Sequence, residues 1–306
     1  MLSALLWSAP APGVSVDWVS VGDPGNACDE LDGGRCWGAV GYRYRMGTFE
    51  VTNDQYVEFL NAVAASDDFL VYNESMSTHA VGGIDRFGAA GSYTYASKAG
   101  RGDLPVNFVS YNDGTRFANW LHNGQPVGAQ DASTTEDGAY TFELVSSSWV
   151  PGARNPDASI FLPNNDEWHK AAYYDAVSMS YSDYPGGTIS NVFCSAPTST
   201  PHRYNCSRAV NDVTPVGAYS GTPTPYGTFD QGGNVLELIE TPLAFRFMRG
   251  GTYRTSFTDF ESGVTFVSPG EREYAGFRLA AIPEPGTGLL LLFGLASLAA
   301  RRPRAA

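Results

Sequence analysis

Chemistry in this chain has to start from few reactive side chains: four cysteines, four histidines and a set of carboxylates. The cysteines fall into two close pairs. Cys28 and Cys36 bracket a Gly/Asp-rich loop, and Cys194 and Cys206 bracket a Ser/Thr/Pro loop. Neither pair has the Cys-x-x-Cys spacing of a redox motif or a zinc knuckle. Cys194, His202 and Cys206 could offer three ligands to a metal, but without a fourth ligand or a tight spacing. Two local disulfides, formed in an oxidising compartment, are the better reading. A second cluster is Asp230-Gln231-Gly232-Gly233-Asn234-Val235-Leu236-Glu237. Calcium takes several oxygens in an irregular shell, and here a Gly-Gly-Asn turn can free backbone carbonyls between two carboxylates. The same segment also reads as an aromatic-flanked turn with both carboxylates solvated.

Other catalytic arrangements are thin. There is no Gly-x-Ser-x-Gly elbow and no phosphate loop or dinucleotide fingerprint. A Ser/His/Asp triad is spatial rather than sequential, so its absence cannot be read from spacing. His169 reads as a partly exposed helix residue and His122 as a favourable group at a helix C-terminus. Asp67-Asp68 and the Asp29/Asp32 pair read as solvated loop carboxylates. With 32 Asp+Glu against 19 Lys+Arg and a net charge of -13, the chain lacks the clustered cations that nucleic-acid binding needs. An aromatic content of 13 % argues against a disordered or fibrous protein. The 306 residues allow one large domain or two ordinary ones, with a full core.

The elements that must position these groups are few. Alternating Val14 to Val21 reads as a first strand and Tyr42 to Val51 as a second. Thr52-Asn53-Asp54-Gln55 is a capping box, followed by Tyr56, Phe59, Leu60 and Val63 on one face of a helix ending near Ala65. Residues 66–102 suggest an ordered loop with short hairpins. Pro105 to Ser110 is strand-like and leads to a second helix, Asn112 to His122, with Phe117, Trp120 and Leu121 on one face and Gly124 as its stop. Residues 125–159 are loop and hairpin. Asn164 caps a third helix, with Glu167 three residues on and Trp168, Ala171 and Ala172 buried. Few helices and many turns imply a mixed α+β fold with much irregular structure.

The two ends read as sorting signals. Residues 1–13 are apolar, end in small residues and resemble a truncated signal peptide without its basic region. At the other end, Pro283-Glu284-Pro285 precedes an uncharged run from Thr287 to Ala300, and Arg301, Arg302 and Arg304 follow. The run is shorter than the ~20 residues that span a bilayer comfortably, but its arginines fit anchoring at a cytoplasmic face. Residues 282–306 resemble the PEP-CTERM sorting signal of Gram-negative bacteria. That resemblance implies export, an inner-membrane intermediate held by a short transmembrane helix, processing by an exosortase, and delivery to the cell surface or extracellular matrix.

Five blocks of the body occur in the order of one family: Glu50 to Tyr56, Pro105 to Ser110, Phe117 to Leu121, Leu162 to Trp168, and Tyr226 to Glu237. Arg249-Gly250-Gly251-Thr252-Tyr253 and Gly276-Phe277-Arg278-Leu279-Ala280 close the series. Residues 14–281 thus resemble the sulfatase-modifying factor family, founded on the formylglycine-generating enzyme. The resemblance implies a variant C-type-lectin-like fold with bound calcium. It places the side chains of Asp230 and Glu237 and the carbonyls of Gly233 and Val235 on that ion. A formylglycine-generating enzyme oxidises a substrate cysteine with copper held by two cysteines, five residues apart, and soft thiolates are what Cu(I) prefers. The matching positions here are Thr255 and Phe260, so copper is not expected. The expectation is an exported, non-catalytic module that binds a peptide, protein or glycan through exposed loops such as 66–102 or 178–205. The alternatives are a cysteine oxidase with a different site and a structural component of the matrix.

Overall fold

The computed structural model shows short polar capping signals at the starts of three of its helices. It describes residues 13–190, 192–240, 247–267 and 270–283. The α-helices among them are α1 (Asn53–Val63), α2 (Ser75–Thr78), α3 (Tyr111–His122) and α4 (Asn165–Tyr173). α1, α3 and α4 each begin with a reciprocal capping box, which satisfies two open amides at once. The boxes of α1 and α4 are the expected Thr52/Gln55 and Asn164/Glu167. That of α3 pairs Ser110 with Asp113: the Asp113 carboxylate accepts from Ser110 N at 2.7 Å, so the helix starts earlier than Asn112.

In chain order the strands are β1 (Trp18–Val21), β2 (Asp29–Leu31), β3 (Arg35–Trp37), β4 (Tyr44–Gly47), β5 (Ile84–Phe87), β6 (Thr94–Ser97), β7 (Tyr140–Val145), β8 (Ser148–Arg154), β9 (Ile160–Phe161), β10 (Tyr174–Asp175), β11 (Ser180–Tyr181), β12 (Phe193–Cys194), β13 (Arg203–Tyr204), β14 (Leu236–Leu238), β15 (Phe247–Arg249), β16 (Phe266–Val267), β17 (Ala275–Gly276) and β18 (Ala280–Ala281). Two four-stranded sheets organise them, in the orders β1-β4-β18-β9 and β16-β15-β14-β17. The first is wholly antiparallel; in the second, β14 and β17 run parallel. The rest are hairpins and two-stranded pairs, including β5–β6 and β7–β8 where hairpins were expected.

Three expected strands are shorter or missing, each for a visible reason. Before Trp18 the carbonyls of Val14 and Ser15 accept side-chain amides of Gln125 and Gln55, not a neighbouring strand. After Gly47 the Phe49 ring turns to stack on Phe229, centroids 5.6 Å apart, which takes the backbone off β4. Between Pro105 and Ser110 a single bridge, Thr52 to Pro105, forms, and Phe108 at φ 59° breaks any extended run.

The main core lies between α1, α3 and the first sheet. Tyr56, Phe59, Phe117, Trp120 and Phe277 form a continuous aromatic cluster with centroids 5.3–6.4 Å apart; Tyr56 stacks on Phe117 and the other pairs are tilted or edge-on, arrangements that aromatic quadrupoles favour. Cys28 pairs with Cys36 and Cys194 with Cys206, as expected. No helix among the described residues is long and apolar enough to cross a membrane. Residues 1–12, and the sorting tail from Glu284 through Pro285, Arg301 and Arg302, lie outside the described residues.

Candidate functional site

The turn between Phe229 and β14 is built by residues that accept left-handed backbone. Asp230, Gly233 and Asn234 have φ of 61°, 81° and 58°. Gly233 is required, because a Cβ there would lie 2.3 Å from the Asn205 carbonyl oxygen. Asn234 then locks the turn: its Oδ1 accepts from Thr214 N at 2.9 Å, and its Nδ2 donates to Glu50 Oε1 at 3.1 Å.

Neither carboxylate of the turn is solvated. Asp230 is buried and its Oδ2 accepts from Gly217 N at 2.5 Å. Glu237 is fully buried. Arg278 reaches it from the last motif, Nε to Oε2 and Nη2 to Oε1 both at 2.6 Å, and Trp168 Nε1 donates to Oε2 at 2.7 Å. Arg278 also donates to the carbonyls of Gly47 and Phe229, tying the turn to β4. Glu237 takes the guanidinium directly, while the buried Glu50 and Asp230 carboxyls are near enough to feel its charge. Burial pushes Asp230 up to about 6. Burial and the Asp230 charge push Glu50 well above the usual carboxylate range. Glu50 Oε2 is buried with no hydrogen-bond partner.

Among the described residues no three His, Cys, Asp or Glu side chains converge closely enough to hold a metal by themselves. A hard cation at this turn would need backbone oxygens too, such as those of Gly233 and Val235. The excess of buried carboxyl groups over cations and the orphaned Glu50 oxygen fit such a cation, which would favour their ionised forms. The Glu237 oxygens are already held by Arg278 and Trp168, so Asp230 is the carboxylate with more capacity to spare.

At the positions matching the copper cysteines there is no soft ligand. Thr255 is half-buried, its hydroxyl accepting from Thr252 N at 3.0 Å. Phe260 is completely buried with Tyr184, Val192, Tyr204 and Cys206, its ring 4.9 Å from that of Tyr204. The Cys194–Cys206 disulfide borders this cluster, and among the described residues no cysteine is free.

Several expected solvated groups are buried instead. His169 is completely inside. Its Nε2 lies 3.0 Å from Asp29 Oδ2 and its Nδ1 2.8 Å from Arg249 Nη2. Because the arginine can only donate, Nδ1 accepts and Nε2 carries the proton toward Asp29. Burial holds this histidine down to about 4, so it is neutral. Arg249 is fully buried, caged by Trp37, Trp168 and Tyr173. Asp67 is also buried, which pushes it up to about 6. The sequence signal for the Asp29–His169–Arg249 chain was only that all three lie beside turns or motifs; their meeting is a product of the fold. His122 does end α3, where its Nδ1 lies 2.8 Å from Ser159 Oγ.

The scaffold of short strands and three capped helices is that of a formylglycine-generating-enzyme-like domain, with Phe260 in an aromatic cluster at one of the two positions that match the copper cysteines. The sulfatase-modifying factor enzyme 1-like domain model matches residues 40–282, and the chain belongs to that family. The PEP-CTERM protein-sorting motif matches residues 281–305; it implies processing by an exosortase and export to the cell surface. Among solved structures, CarF is similar at 22% identity and a TM-score of 0.56, covering 88% of this chain and 99% of its own. Treponema denticola variable protein 1 is similar at 18% identity and a TM-score of 0.57, covering 88% and 96%. Both likenesses bear on the fold alone. No curated protein matches the chain.

Proposed function

We propose that this is a non-catalytic, exported binding module of the extracellular matrix, carried on a formylglycine-generating-enzyme-like scaffold. The observation that carries the reading is the burial of Phe260 among Tyr184, Tyr204 and the Cys194–Cys206 disulfide, with Thr255 as the other replacement. An oxidase needs two thiolates there, and an apolar cluster offers none. The binding surface lies on the exposed loops within 66–102 and 178–205, for a peptide, protein or glycan ligand. In the precursor, the apolar run Thr287–Ala300 holds the chain in the inner membrane until processing. Calcium belongs at the 230–237 turn, with Asp230 and carbonyls of Gly233 and Val235 as ligands and Glu237 closing the charge balance.

Metal analysis of the exported protein, together with oxygen uptake on a cysteine-containing peptide, tests this. Calcium without copper and no uptake is the expected result; stoichiometric copper with turnover would overturn it. Glycan-array and matrix pull-down assays then look for the ligand, and no ligand in either would count against a binding role. Calcium should raise the melting temperature of the wild-type protein and not that of Asp230→Ala.

A further inference from the structure

We infer that in the unprocessed precursor the domain stands directly on the membrane surface, on the edge where β1, β4, β18 and β9 end beside Pro283. This rests on the reading above that the Thr287–Ala300 run is held in the bilayer. The structural observation is the pairing of the strand that leads into Pro283. β18 is an interior strand, paired with β4 through Ala280–Met46 and Ala281–Arg45 and with β9 through Ala280–Phe161 and Ala281–Ile160. Ile282 N continues the pairing by donating to Ser159 O at 3.1 Å. The domain is thus structured up to the residue before the Pro-Glu-Pro motif, and Pro283 is exposed.

Only Glu284, Pro285 and Gly286 separate Pro283 from the uncharged run. Four Cα–Cα steps reach at most about 14 Å, whatever their conformation. The polar headgroup zone alone takes up about 5–7 Å of that on each side of the hydrocarbon core. No room is left for another folded layer between this edge and the lipid.

The residues at the edge suit that position. Register carried on from the β4–β18 pairing sets Arg43 across from Pro283. Arg43 is exposed, Tyr42 is 42% exposed and Ile282 38%, a mix of cationic, aromatic and apolar groups that sits well at a headgroup boundary. Asp23 and Asp157 also lie at this end of the sheet, so the named charges do not favour an anionic surface, and lipid contact is imposed by the tether. The partner is a phospholipid surface.

The test uses the full-length precursor in vesicles of phosphatidylethanolamine and phosphatidylglycerol that carry a nitroxide headgroup quencher. The native cysteines are in disulfides, so one added thiol takes one fluorophore. Arg43→Cys places it at the edge. Val210→Cys places it beyond the other end of the sheet, where Phe229 N donates to Thr48 O and Asn205 Nδ2 to Asp212 O. The expected result is quenching several-fold stronger at position 43 than at 210, with the difference abolished by a flexible insertion of about a dozen residues after Ile282. Flotation with the vesicles but equal quenching at the two positions, or quenching unchanged by the insertion, overturns the proposal alone. Failure to float overturns the tail reading and the proposal with it.

Discussion

The Glu237–Arg278 pair shows how much one residue can hold. Both side chains are fully buried, and the guanidinium also ties Gly47 and Phe229 to the 230–237 turn. Removing one partner of a buried pair strands the other charge, which costs about 3–5 kcal/mol. Glu237→Gln should therefore lower unfolding free energy by that order in urea titrations, while leaving the disulfides intact by peptide mapping. Asp113 sets a pH dependence. Burial first, then the nearby Glu271, raise its carboxyl from 3.8 to about 7. A folded-state value above the unfolded one favours the protonated form, so its contribution is present below about 3.8 and is lost as pH rises to about 7. Asp113→Asn should flatten the fall in stability across that window, measured by denaturation at successive pH values; an unchanged slope would assign it to other groups, such as Asp67. The capping residues of α1 and α4 and the apolar helix faces were legible from residue spacing, whereas the Ser110–Asp113 box of α3 was not. The burial of His169 and Asp67 was not, because a polar residue in sequence carries no record of what packs on it.

Among the elements, the β2–β3 hairpin is the one whose role emerged only in the fold. Cys28–Cys36 closes it, Asp29 pairs across from Trp37, and these two side chains cover His169 and Arg249 of α4 and β15. A disulfide closing a short loop contributes roughly 2–3 kcal/mol by chain entropy. Cys28→Ser with Cys36→Ser should cost that amount. If the hairpin also detaches, His169 should titrate well above its native value of about 4, a change NMR can follow. α4 itself depends on its cap: Asn164 Oδ1 accepts from Glu167 N, and Glu167 Oε2 accepts from Asn164 N. Asn164→Ala should cost about 1 kcal/mol, read from the shift in the denaturation midpoint.

For the whole molecule, chain order and spatial order differ most at the C-terminus. β18 fills the position between β4 and β9, so the first sheet cannot close until residue 281 is available. A chain ending at Leu279 should fail to fold cooperatively, whereas one ending at Pro283 should melt like the longer protein; circular dichroism on heating distinguishes them. Processing beyond Pro283 would leave β18 and its two partners in the chain. Loss of the three terminal arginines would deepen the net charge from -13 to -16, in keeping with an acidic domain that acts outside the cytoplasm.

The amino-acid sequence by itself determined what depends on neighbours along the chain. The capping boxes, the helical apolar faces, the two short-range disulfides, the ordered family motifs and the Pro-Glu-Pro tail all need only local spacing. The tertiary structure decided what depends on contacts across the chain. It set Arg278 against Glu237 from 41 residues away, brought Asp29 to His169 from 140, and packed Phe260 against Tyr204 and the Cys194–Cys206 bridge. It also cut three expected strands short, where side-chain amides, a stacked ring or a left-handed backbone turned the chain aside. Burial and charge compensation are properties of closed three-dimensional surroundings, and no local pattern encodes which distant residues will close them.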